Sequence, residues 1–154
     1  MLFRSQDRQF KILLVDDSED NRLLITHYLK SSPIDCDEAS NGKEAVEKFR
    51  NGKYDLVFMD MQMPIMSGYK ATEVIRHMEA AENRNHTPIV ALTATAVLEE
   101  LQRSLKSGCD RYMVKPVKKA EILQMLVEML IPKNQLTSPK PGDSFPKEPP
   151  QMTI

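Results

Sequence analysis

Asp16 and Asp17 directly follow the apolar run Lys11 to Val15, Asp60 follows Leu56 to Met59, Thr93 closes Ile89 to Leu92, and Lys115 follows Arg111 to Val114. Three carboxylates, a hydroxyl and an ammonium thus occupy the same kind of place, the end of a strand-like run. If those ends converge, the carboxylates repel one another unless a cation lies among them. A small set of hard oxygen ligands suits magnesium better than zinc. A carboxylate beside such an ion can attack phosphorus, with Asp60 in that role, while the ion neutralises charge as a phosphoryl group arrives. Lys115 would contact the transferred group as a point charge, and Thr93 would hydrogen-bond another of its oxygens.

Taken singly these residues say less. An Asp-Asp pair after a strand is more often a solvated turn or helix cap than a metal site, and Asp60 alone reads as a loop acid. Their shared placement is what favours a site, so the elements that carry them matter.

Lys11 to Val15 reads as a strand buried on both faces. Ser18 then caps a helix running to about Lys30, with Leu23, Leu24, Tyr28 and Leu29 at helical spacing. A weak strand, Cys36 to Ala39, leads through Asn41-Gly42 into a helix with Ala45, Val46 and Phe49 on one side, closed by Asn51-Gly52. Leu56 to Met59 is the next buried strand, and Pro64 and Gly68 break the loop after it. A helix from about Gly68 turns Val74, Ile75 and Met78 inward and ends in the polar stretch Glu82 to Thr87. Ile89 to Leu92 is a strand; the helix after it presents Leu98, Leu101 and Leu105 until Gly108 stops it. Arg111 to Val114 is the last strand, and a helix around Lys119 to Leu130 buries Ile122, Leu123, Leu126 and Val127. Five alternating strand-helix pairs predict an α/β fold, a doubly wound parallel sheet covered on both faces. Ligands of such sheets bind outside the carboxyl ends of the strands, where the winding reverses. All five polar groups are expected there.

The chain of 154 residues suits one core rather than two. We expect a domain over residues 10–131, an extension over 1–9, and a linker or disordered tail over 132–154, which holds six of the ten prolines. No second hydrophobic period remains for an output domain. The formal net charge of -1 provides no field to draw the chain to nucleic acid or an anionic bilayer. Apolar runs of a few residues are too short for a membrane helix. Cys36 and Cys109 lack metal or redox spacing, which fits reduced thiols in a cytoplasmic protein. His27, His77 and His86 do not cluster. Met59, Met61, Met63 and Met66 read as packing rather than copper ligands. Pro146 to Pro149 reads as passive linker rather than a polyproline ligand. A nucleotide switch would need a glycine-rich lysine loop that is absent.

Val15-Asp16-Asp17, Met59-Asp60-Met61-Gln62-Met63-Pro64 with Gly68 beyond, Leu92-Thr93-Ala94 and Lys115-Pro116, in this order, resemble response regulator receiver domains. The resemblance covers about Lys11 to Ile131. It implies a flavodoxin-like five-stranded sheet in the order 2-1-3-4-5 and a phosphoacceptor in a histidine-to-aspartate phosphorelay, without turnover of a separate substrate. It assigns Asp60 as the phosphorylated residue. Asp17 and Asp60 would bind Mg2+ directly, Asp16 through water, and Gln62 through its backbone carbonyl. Lys115 would pair with the phosphoryl group, and its bond to Pro116 would be cis. Tyr112 matches a switch aromatic that turns inward as Thr93 moves toward the phosphate, and Thr95 and Gln62 occupy positions that tune phosphoryl lifetime.

The implied phosphodonor is a histidine kinase or a histidine phosphotransfer protein. The implied output is a protein target bound through the fourth helix, fifth strand and fifth helix, with a homodimer on phosphorylation left open. One alternative is a phosphatase of the haloacid dehalogenase type, but its second acid two residues after the nucleophile is here Gln62. Another is a receiver excised from a hybrid histidine kinase, which the loop Met61 to Gly68 and the proline-rich tail resemble. Met1 as a start and the lack of a kinase phosphoacceptor sequence favour free-standing or amino-terminal placement.

Overall fold

The protein is described here by a computed structural model covering residues 9–131; the extension and the proline-rich tail, including Pro146 to Pro149, lie outside the described residues. Strands and helices alternate as β1 (Phe10–Val15), α1 (Glu19–Tyr28), β2 (Ile34–Ala39), α2 (Gly42–Asn51), β3 (Leu56–Asp60), α3 (Gly68–Ala81), β4 (Ile89–Thr93), α4 (Leu98–Ser107), β5 (Arg111–Val114) and α5 (Lys119–Leu130). The strands form one parallel sheet in the order β2-β1-β3-β4-β5. This is the doubly wound flavodoxin-like α/β fold that the alternation predicts.

Apolar runs without polar alternation produce this sheet because both faces are covered. Side chains alternate across a strand, so Leu13, Val15, Val57, Met59, Ile89 and Ala91 pack with α2 and α3 on one face. Their neighbours Ile12, Leu14, Leu56, Phe58, Val90 and Leu92 pack with α1 and α5 on the other. The methionines fill this core as expected: Met59 and Met61 are buried, with Met63 and Met66 packed against them. Edge strand β2 carries Asp35, Asp37 and Glu38, charges that discourage pairing with another chain.

Helix ends follow local chemistry. Ser18, Asn41 and Ser67 cap α1, α2 and α3 by accepting a backbone N–H from Asn21, Glu44 and Lys70. Helix α3 closes with Asn83 in the left-handed region (φ 52°), which asparagine tolerates. Gly108 (φ 120°) stops α4, and a Cβ there would also lie 2.8 Å from Arg76 Cγ.

Two apolar assignments are corrected. Leu23 and Leu24 are exposed, at 59% and 42%; α1 buries Ile25 in their place, while Leu29, just past its end, is buried as expected. The helix ends at Tyr28, two residues before the expected Lys30, and the hydroxyl of that tyrosine donates to the Val117 carbonyl at 3.4 Å beside α5. Leu98 is likewise 38% exposed; the inward side of α4 is carried by Leu101 and Ser104.

Candidate phosphoacceptor and metal site

Register brings the strand ends together. Val15 pairs with Met59, Asp60 with Leu92, and Thr93 with Val114, so Asp60 and Thr93, which end β3 and β4, share one edge of the sheet with the residues that follow β1 and β5. Strands β1 and β3 are neighbours, yet α1 and α3 lie on opposite faces, which makes the crevice above them the switch point.

Asp16, Asp17 and Asp60 each present a carboxylate oxygen, and these oxygens all lie within 4.8 Å of one another. Asp16 and Asp60 are buried and Asp17 is exposed, so the cluster opens to solvent on one side. All-oxygen donors at this spacing, with an open side for water, fit a hard divalent cation such as magnesium. Lys115 Nζ lies 3.1 Å from Asp16 Oδ2 and 3.3 Å from Asp60 Oδ2, so one ammonium spans two carboxylates.

Asp60 is 3% exposed, and burial is the main reason its pKa is pushed up to about 6, with Asp16 adding repulsion. Lys115 and the backbone N–H of Gln62, which donates to Asp60 Oδ1 at 3.2 Å, work in the opposite direction. Burial disfavours the Lys115 charge, but Asp60 and Asp16 together outweigh it and raise its pKa.

The loop after Asp60 is fitted closely to it. The Gly68 N–H donates to the Met61 carbonyl at 3.0 Å, and a Cβ on Gly68 would stand 2.1 Å from the Asp60 carbonyl oxygen. Only glycine permits that approach. Ile65, two residues before Ser67, has φ 71° and is 77% exposed. A β-branched residue in the left-handed region is strained.

The remaining expected residues fall around this pocket in different ways. The Thr93 backbone carbonyl accepts the Lys115 N–H at 2.7 Å, which couples β4 to the lysine. Its hydroxyl is committed to its own turn, donating to the Thr95 carbonyl at 3.1 Å and accepting the Thr95 N–H at 3.3 Å. The Gln62 side chain is exposed. Tyr112 is half-buried against the core on the α2 and α3 face. The Lys115–Pro116 bond is cis.

Two residues absent from the sequence-derived set also reach the pocket. Asn21 brings Nδ2 to 3.5 and 3.4 Å from the two Asp16 carboxylate oxygens, and Arg22 donates to the Asp16 backbone carbonyl while pairing with Glu38 at 2.9 Å. Their position in the first turn after Ser18 was the available signal.

A doubly wound sheet with an acid cluster and a lysine at its switch point defines a phosphoacceptor class of α/β domain. Residues 12–127 match the response regulator receiver domain family, and the chain belongs to it. It is 44% identical over 112 residues to hybrid signal transduction histidine kinase G of Dictyostelium discoideum, covering 71% of this chain and 3% of that one. Over 120 residues it is 36% identical to chemotaxis protein CheY of Halobacterium salinarum, covering 78% of this chain and 96% of the relative. The chain therefore spans a small fraction, 3% to 13%, of the kinases and sensors among its curated relatives, and nearly the whole of that chemotaxis protein.

Solved structures agree. The receiver domain of a Saccharomyces cerevisiae response regulator, co-crystallised with a histidine phosphotransfer protein, superposes with TM-score 0.76 at 31% identity, covering 79% of this chain and 88% of that one. The receiver domain of a Pseudomonas aeruginosa sensor histidine kinase, which has a magnesium ion in its active-site cleft, superposes with TM-score 0.70 at 33% identity, covering 79% and 98%. Residues 12–127 are thus a receiver, the phosphoacceptor domain of two-component signalling. Among the described residues no helix is long and apolar enough to cross a membrane.

Proposed function

We propose that Asp60 accepts a phosphoryl group from a phosphohistidine and that the charge it gains is read by Lys115 and Thr93. The observation that carries this is the Lys115 ammonium within 3.3 Å of Asp60 in a pocket otherwise made of carboxylates. An Asp60 carboxylate oxygen attacks phosphorus, the phosphorus–nitrogen bond breaks, and the imidazole leaves with the bonding pair and gains a proton. Asp17 and Asp60 would hold Mg2+ directly, with Asp16 acting through water and the Gln62 carbonyl as a further ligand. Bound there, the ion supplies charge neutralisation at the phosphoryl oxygens.

Lys115 then pairs with the phosphoryl group. Thr93 releases Thr95 to donate its hydroxyl to another phosphoryl oxygen, and Tyr112, on the strand beside β4, follows inward. The changed surface is α4, β5 and α5, where a downstream protein or a second copy binds. Thr95 and Gln62, flanking the pocket, set how long the phosphoryl group survives. The phosphodonor is a histidine kinase or a histidine phosphotransfer protein, by analogy with the yeast complex. Residues 10–131 are the functional unit, with 1–9 as an extension and 132–154 as a linker-like tail. The unit acts in the cytoplasm, as a free-standing regulator or as the receiver of a larger kinase.

Intact mass spectrometry after incubation with acetyl phosphate and magnesium tests this. Wild type is expected to gain one phosphoryl mass, and Asp60→Ala none. A gain in Asp60→Ala would remove Asp60 from its role.

A further inference from the structure

We propose that Asn21 is a positioning residue for phosphoryl transfer: its carboxamide holds the Asp16 carboxylate in place when Lys115 turns from Asp16 to the incoming phosphoryl group. This rests on Asp60 being the phosphoacceptor. Asp16 has no solvent exposure, so its carboxylate is satisfied by protein donors and, once an ion is bound, by water held on that ion. Its backbone is pinned on both sides, with the N–H on the Ala39 carbonyl at 3.1 Å and the carbonyl on Arg22. Only the partners of its carboxylate can change.

Those partners divide unevenly. Oδ1 accepts the Ser18 N–H at 2.9 Å, a fixed donor in the turn between β1 and α1. Oδ2 accepts from Lys115 at 3.1 Å. Asn21 Nδ2 straddles the pair, 3.5 Å from Oδ1 and 3.4 Å from Oδ2. When Asp60 is phosphorylated, negative charge moves outward onto the phosphoryl oxygens, and a flexible ammonium follows it. Oδ2 is then left with Asn21 as its remaining side-chain donor among the described residues. An unsatisfied oxygen on a fully buried carboxylate is costly. Asn21 is well placed to prevent this: its backbone N–H is fixed on Ser18 Oγ at 3.2 Å, and its amide needs to close by only a few tenths of an ångström.

A role confined to helix α1 makes the opposite prediction for one variant. Asn21 lies in the first turn, where an acid is favoured by the helix dipole. Asn21→Asp would then be neutral or stabilising and fully active. If the amide positions Asp16, Asn21→Asp removes the donor and sets a carboxylate against it, which also holds Lys115 back from the phosphoryl group.

The test uses the full chain with acetyl phosphate over a magnesium series that reaches saturation. Initial rates are read by intact mass, magnesium affinity by calorimetry and folding by thermal melting. Asn21→Ala is expected to keep the wild-type melting profile and to phosphorylate about tenfold more slowly, as loss of a hydrogen bond to a charged group implies. Asn21→Asp is expected to be slower still, with magnesium affinity unchanged or tighter. Wild-type rates in Asn21→Asp, or a defect in either variant that vanishes as magnesium is raised, would overturn the proposal. Absence of labelling in wild type, or labelling of Asp60→Ala, would instead overturn the assignment of Asp60 and leaves a different signature.

Discussion

Charge lies half-buried at both ends of the sheet, and the two ends manage it in opposite ways. At the amino-terminal end of β4 and β5, Arg76 from α3 reaches Glu79 at 2.7 Å, Asp110 at 2.9 Å, and the Gly108 and Thr87 carbonyls at 2.9 Å. The second Glu79 oxygen accepts the Thr87 N–H, and Asp110 also accepts from Ile89 and meets His86. Every carboxylate oxygen there has a partner within the protein. At the carboxyl-terminal end three carboxylates face one ammonium, and exposed Asp17 has no hydrogen-bond or ion-pair partner among the described residues. A closed network fixes structure; an acid cluster left in excess is prepared for a cation and for a phosphoryl group. The difference identifies which end works.

The comparison breaks first at Arg76. Removing it as Arg76→Ala leaves Glu79, whose side chain is 7% exposed, without its counter-charge. We expect a loss of roughly 3–5 kcal/mol in urea unfolding, as for other buried pairs missing one partner. If the loss is small, the network is not the structural counterpart of the pocket.

The pocket should respond with the opposite sign. Asp60 ionises in the folded, metal-free protein at about 6, above the usual carboxylate value, because burial disfavours its charge. Between roughly pH 4 and pH 6 the native state therefore holds a proton that the unfolded chain has lost, so stability falls as pH rises through that window. Asp60→Asn should abolish this slope and raise stability at pH 7 by on the order of 2 kcal/mol. Melting curves of both proteins from pH 4.5 to pH 7 in the presence of a chelator would show it.

Magnesium should restore part of what the acid cluster costs. At about ten times its dissociation constant it should stabilise wild type by roughly 1.4 kcal/mol, with little effect on a variant lacking Asp17. Equal shifts in Asp17→Ala and wild type would show that the ion binds elsewhere. Smallest of all, His86→Ala removes a partner that is 60% exposed, and we expect a change within about 0.5 kcal/mol. A larger loss would mean that the lower network depends on its rim.

Much of the pocket was legible because strand ends are. Short continuous apolar runs alternating with helical periods read as buried strands, and whatever ends them emerges at one edge, so the pattern alone places Asp16, Asp17, Asp60, Thr93 and Lys115 together. Helix facing was less legible. Helix α1 has apolar residues at Leu23, Leu24 and Ile25 in succession, so its periodicity does not say which of them faces in; packing in the α5 cluster selects Ile25 with Leu29.

The sequence by itself therefore determined the order of strands and helices, the residues at the carboxyl ends, and the family they match. The tertiary structure decided which of those groups touch. It put Lys115 on both Asp16 and Asp60, turned the Thr93 hydroxyl onto Thr95, drew Asn21 over Asp16, and tied Arg76 to Asp110 across 34 positions. Periodicity is a local property of a segment, whereas a hydrogen bond between distant side chains depends on the register and packing of elements that no local pattern encodes.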